Sequence, residues 1–165
     1  MTNQTLPTEP LRAEHRDLLP HLLALDTAAD ELVDLDGDGA VTVLGDVVAF
    51  LRGHLVPHAS AEEDVLYPAV EEAMGAPDAT ATMRADHEEI VKRIDRLAST
   101  ADDVRTRWPD AELARSLAHQ LVGLAAILQL HFAKEEDVLL PVLDASLTPE
   151  RATQLFARMA EAAHA

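Results

Sequence analysis

Two stretches of this chain read almost alike: HASAEEDVLYP at residues 58–68 and HFAKEEDVLLP at residues 131–141, offset by 73. A second pair, LRAEH at 11–15 and MRADH at 83–87, repeats at an offset of 72. Residues 11–74 and 83–144 therefore read as two copies of one helix pair. Two such pairs pack around a pseudo-two-fold axis, and each presents the same side chains to it. In each longer stretch a histidine and a glutamate stand four apart, His58 with Glu62 and His131 with Glu135. At about 3.6 residues per turn, each pair lies one above the other on a single helix face.

Working outward, Leu11, His15, Leu18, Leu22 and Leu25 recur at three- and four-residue steps, one helix face. The first helix is expected to run to about Val33, with Thr8 as N-cap and Pro10 in its first turn. The acidic break DLDGDG at 34–39 ends it. The second helix is expected from about Thr42 to Met74, with a kink or interruption at Pro57 and Pro68. The third covers roughly 79–105 and the fourth about 110–144, with Trp108-Pro109 between them. A short extra helix follows at about 149–163. No strand alternation appears. The fold class is all-α: one domain, an up-down-up-down four-helix bundle with a C-terminal fifth helix.

Rise per residue sets the levels. From His15 to the end of the first helix is roughly 27 Å, and from the start of the second to His58–Glu62 is roughly 24–30 Å. The two meet at one height, and the third and fourth helices match similarly at His87 and His131–Glu135. Six side chains converge: His15, His58, Glu62, His87, His131 and Glu135. Polar groups on an inward face are costly unless paired. Imidazole with carboxylate suits Fe, Mn or Zn, and two carboxylates between two histidine pairs suit a bridged two-metal centre.

This pattern, His15 … His58-x3-Glu62 … His87 … His131-x3-Glu135, resembles the hemerythrin-like family, the HHE cation-binding domain. The likeness spans about residues 11–144. It implies a non-haem di-iron centre, with oxo- or hydroxo-bridged ions. By that resemblance His15 and His58 hold one iron, His87 and His131 the other, and Glu62 and Glu135 bridge. The implied function is binding or reduction of a small oxidant, O2, peroxide or NO, with catalase-like turnover one form of it. The alternative is an iron-handling or iron- and redox-sensing module without turnover. Oxygen-carrying members have a further histidine where this chain has Val91, and an aspartate where it has Glu136. His54, one turn before His58, is a candidate substitute ligand. Ferritin-type sites use Glu-x-x-His, the reverse order, and are disfavoured.

Composition bounds the rest. The 165 residues include 30 acidic against 13 basic, a net charge of −17. Such a chain repels nucleic acid phosphate and anionic membrane surfaces. The absence of cysteine excludes disulfides, thiolate chemistry and Fe–S ligation from this sequence. No run of 18 apolar residues is present, so no membrane-spanning helix is expected. The N-terminal ten residues lack a signal-like apolar segment, and the expected compartment is the cytoplasm. The 34–39 loop opens like a calcium loop, but its twelfth position is Gly45, and an acidic turn is the reading. Glu63 and Glu136 lie about 140° from their histidines and are expected behind the ligands or at the rim. Tyr67, 2.5 turns from His58, is expected on the opposite side. Phe50 and Phe132 are expected to wall the site. His21, His119 and His164 fall off the ligand face.

Overall fold

A computed structural model describes residues 6–164. Five helices carry the chain: α1 (Glu9–Glu31), α2 (Gly37–Met74), α3 (Ala81–Asp102), α4 (Ala111–Ser146) and α5 (Pro149–Ala162). A single helical turn, Val104–Arg107, lies between α3 and α4. Most of the expected tail, residues 1–5, lies outside the described residues.

Local chemistry sets the boundaries. The α2 helix starts five residues earlier than its apolar pattern indicates, because Asp36 accepts a hydrogen bond from the Gly39 amide at 2.8 Å and caps it. That capping turn is the acidic segment that opens like a calcium loop. Gly75, at φ +64°, ends α2 in the left-handed conformation that glycine adopts without a Cβ penalty. Asp110 accepts from the amides of Glu112 and Leu113 and caps α4. Thr148 does the same for α5 through the Arg151 amide. Thr8 stands at the N-cap position of α1, but its hydroxyl caps nothing. It donates instead to Asp144 Oδ1 at 2.8 Å, tying the start of α1 to the end of α4. Trp108 Nε1 donates to the Leu35 carbonyl, joining the two connections at the far end.

Helices α2 and α4 continue through their prolines. Each of Pro57, Pro68 and Pro141 comes one residue after a π-helical turn: Leu51–Leu55, Glu62–Leu66 and Glu135–Leu139. In each, the amide before the proline reaches back five residues, as Tyr67 does to Glu62 and Leu140 to Glu135. A proline has no N–H and its ring clashes with the carbonyl four residues back. The wider turn accommodates this while the helix continues.

In the turns Glu62–Leu66 and Glu135–Leu139 one carbonyl is left without an amide. Glu63 would bond Tyr67, which is already engaged with Glu62, or Pro68, which has no donor. Glu136 is placed alike before Leu140 and Pro141. Arginines answer both: Arg84 Nη1 donates to the Glu63 carbonyl at 3.1 Å and Arg12 Nη1 to that of Glu136 at 3.3 Å. Arg12 and Arg84 are mates in the repeat, as are Thr8 and Thr80, each of which donates to an acidic side chain, Asp144 or Glu71.

Two apolar layers separate along the bundle. The larger holds Leu22, Leu25, Leu51, Ile94, Leu97, Leu117 and Leu121, among others. The smaller holds Leu11, Leu66, Val70, Met83, Leu140 and Leu143, closed by Leu155 and Met159 of α5. On every long helix the residues of the His/Glu pattern fall between these layers. By length and composition alone α2 and α4 could cross a membrane; here each sends its apolar face into the bundle.

Arg12→Ala strands the Glu136 carbonyl and loosens the α1–α4 tie. Thermal or denaturant unfolding is expected to show a loss of about 1–3 kcal/mol, the cost of an unsatisfied partly buried acceptor. An unchanged midpoint would show that water replaces the guanidinium there.

Candidate metal centre

All six side chains of the His/Glu pattern meet between the two apolar layers. His15, His58, His87 and His131 are 2–4 % exposed, and Glu62 and Glu135 are fully buried. Their polar atoms form two groups, one of His15, His58 and Glu62, the other of Glu62, His87, His131 and Glu135. Within each group the ligand atoms lie within 4.8 Å of one another. Glu62 belongs to both: its Oε1 is 2.9 Å from His58 Nε2 and 3.5 Å from His15 Nε2, while Oε2 is 3.4 Å from His87 Nε2. Glu135 also spans, with Oε1 3.4 Å from His131 Nε2 and Oε2 3.5 Å from His15 Nε2.

Every histidine is held by its other nitrogen. Nδ1 of His15 donates to Glu136, of His58 to Glu14, and of His87 to Glu63, each at 2.9 Å; Nδ1 of His131 donates to Asp86 at 3.2 Å. A proton held at Nδ1 leaves the Nε2 lone pair free and aims it inward, the arrangement of metal-ligating histidines. Basic residues back three of the four carboxylates: Arg12 pairs with Glu136, Arg84 reaches Glu63 at 4.0 Å, and Lys134 pairs with Asp86.

The inner atoms fit a cation and little else. His15 Nε2, His58 Nε2, both oxygens of Glu62 and Glu135 Oε2 are buried without a hydrogen-bond partner. His87 and His131 bring their Nε2 atoms within 2.9 Å of each other. With both Nδ1 atoms protonated, two neutral rings would there oppose lone pair to lone pair. Ligands at right angles around an ion, about 2.1 Å from it, stand about 3 Å apart, close to the spacings seen.

Tyr67 corrects the sequence reading. It is fully buried, and its hydroxyl donates to Glu135 Oε1 at 2.8 Å while lying 3.2 Å from His87 Nε2 and 3.4 Å from His131 Nε2. The π turn at Glu62–Leu66 inserts one residue into the helical count. It turns Tyr67 by about 100°, from the far side toward the centre. Phe132 stacks on His15, centroids 4.3 Å apart. Phe50 does not wall the site; it stacks on His21 at 4.4 Å. His54 is exposed, lies near Phe50 and belongs to neither ligand group, so it is not brought in as a substitute ligand. Val91 is 37 % exposed. The ligand spacing does not single out Glu14 and Asp86, yet their signal was present: each immediately precedes a repeated histidine.

Without a metal, protons stand in for it. Burial works against the charged forms of Glu62 and His58, but their mutual attraction outweighs it. Glu62 is held well below, and His58 well above, their ordinary values. His131 is likewise raised, burial being overcome by its hydrogen bond to Glu135. Burial, then the charges of Glu62 and Glu135, push the Tyr67 phenol far up, so it remains a neutral donor.

The family model described as "Hemerythrin HHE cation binding domain" matches residues 6–162. Among curated proteins, the chain is similar to the "Iron-sulfur cluster repair protein YtfE" of Cronobacter sakazakii, 27 % identical over 129 residues. That alignment covers 77 % of this chain, and the chain spans 58 % of the relative's length. No solved structure matches.

Two outcomes are expected of the site. Because the metal-free surroundings favour the protonated forms of His58 and His131, metal uptake competes with protons there: it should release protons, and affinity should fall as pH falls. Titration with Zn(II) in weak buffer checks this; uptake without proton release would contradict it. Glu136→Gln and Glu63→Gln, which weaken the hold on His15 and His87, should each lower metal affinity about 10–100-fold in chelator competition.

Proposed function

The chain belongs to the hemerythrin HHE cation-binding family, and on that premise we propose that it is a non-haem di-iron protein that binds or reduces a small oxidant. O2, peroxide and NO are the candidate oxidants. His15 and His58 would hold one ion and His87 and His131 the other, with Glu62 and Glu135 shared between them. The observation that carries this reading is the split of Glu62, one oxygen toward each histidine pair. When bound, the iron pair supplies electrons and an open coordination position for a small ligand.

The chain's own residues do the rest. Four carboxylates fix the imidazoles in one tautomer. Tyr67 keeps a proton on its hydroxyl beside Glu135 and both histidines of one pair. Phe132 and the apolar layers exclude water and lower the local dielectric, which strengthens these contacts.

A second reading draws on the similarity to the iron-sulfur cluster repair protein. In it the chain stores or delivers iron, and occupancy rather than turnover is the signal.

Metal analysis with an ultraviolet–visible spectrum, on protein expressed with iron supplied, tests both. About two irons per chain with charge-transfer bands are expected. His58→Ala and Glu135→Ala should each lose iron; full retention in both would sink the ligand assignment. Rapid consumption of peroxide or NO by the loaded protein supports the oxidant reading. Iron released readily to a chelator, with a large drop in melting temperature and no oxidant consumed, supports the second.

A further inference from the structure

The internal repeat lets each residue around the centre be compared with its mate. The ligands and the residues that hold them match. Two inward neighbours do not, and both differences fall on the same half.

The first is Tyr67, whose mate is Leu140. Both are fully buried, but only Tyr67 brings a hydroxyl, set among His87, His131 and Glu135. The His87–His131 half thus has a polar donor that its mate lacks.

The second is Ala59, whose mate is Phe132. The Phe132 ring covers His15, nearly parallel to it at 19°. Where that ring would stand on the other half, a cavity of about 390 Å³ opens between α2 and α3 and reaches His87. Val56, Ala59 and Val91 form its aliphatic wall, and Ser60, Glu63, Glu88 and Lys92 complete the lining. The mate of Val91 is the larger Leu19. With Glu63 and Glu88 both on its lining, this opening repels an anion, and its aliphatic wall suits an uncharged small molecule.

Another cavity, of about 280 Å³, touches His58 beneath α5, lined by Leu11, Ala61, Phe156 and Ala160. By the repeat it serves the half that carries Leu140 in place of Tyr67.

We propose that a neutral diatomic, O2 or NO, is taken up at the His87–His131 half through the cavity between α2 and α3, with Ala59 and Val91 setting what passes. This rests on the di-iron reading above. Ala59 and Val91 act on access and not on the metal.

The test is stopped-flow absorbance of the iron-loaded protein mixed with NO. Val91→Phe, at a partly exposed position, and Ala59→Phe, which places a ring in the cavity, should each slow association by about tenfold, as when binding must wait for an opening motion. Iron content and melting temperature should stay at wild-type values. Ala160→Phe, in the cavity beneath α5, should leave the rate unchanged. In metal-free protein, the xenon NMR shift that reports cavity occupancy should shrink in Ala59→Phe. NO binding that neither Val91→Phe nor Ala59→Phe slows overturns this inference and leaves the di-iron reading standing. Slowing by Ala160→Phe alone moves the route beneath α5 and overturns it too. No NO binding by the iron-loaded wild type overturns both.

Discussion

Two carboxylates sit in this bundle with no access to water, and the rest of the centre follows from that. Glu62 and Glu135 are fully buried, and an isolated buried carboxylate carries a desolvation cost of several kcal/mol or more. Something positive must stand between them. In the metal-free chain the pull of Glu62 and Glu135 favours the protonated forms of His58 and His131; a bound cation would do the same work with fixed geometry. Charge then alternates outward. The inner glutamates face the imidazoles, the imidazoles lean on outer carboxylates, and three of those lean on Arg12, Arg84 or Lys134. Each layer gives the one inside it a reason to stay.

Backbone chemistry joins this electrostatic ladder at the prolines. Pro68 and Pro141 each sit just after a π turn, and each turn strands a carbonyl that no amide can reach. The arginine that satisfies the Glu136 carbonyl also pairs with the Glu136 side chain, which holds His15. Arg84 makes the matching link through Glu63 to His87. A defect in the helix ladder and the orientation of a ligand are thus served by one guanidinium. His15 and His87 are thereby fixed by the helix packed against each, through Glu136 on α4 and Glu63 on α2. Placement of the centre is therefore a property of the packed bundle and not of any single helix.

Much of this was legible in the residues. The repeated His-x3-Glu, the matched levels and the four apolar patterns point to the bundle and to the six convergent side chains. They do so because spacing along a regular helix maps directly onto its faces. Tyr67 was not legible by that route. A wheel of 100° per residue puts it opposite His58, and the π turn removes that premise. The signal lay in the prolines, read as kinks or interruptions, which here follow widened turns. Glu14 and Asp86 were hidden for another reason: their partners are on the neighbouring helix, a relation no single-helix spacing contains. Phe50 stands just before the turn Leu51–Leu55 and stacks on His21, while His54 lies within that turn, exposed and near Phe50.

The repeat also separates what the charges require from what they leave free. Positions that hold the ligands are matched between the halves: Glu63 with Glu136, Arg12 with Arg84, Glu14 with Asp86. Losing any of these would leave a buried charge or lone pair unanswered, so both copies carry them. Tyr67 and Leu140, or Ala59 and Phe132, answer no such demand. Either member packs against the apolar layers without stranding a polar group, since the tyrosine hydroxyl finds Glu135. Differences can therefore gather at these positions without cost to the frame. A centre built twice for electrostatic reasons becomes two unlike halves wherever electrostatics is silent.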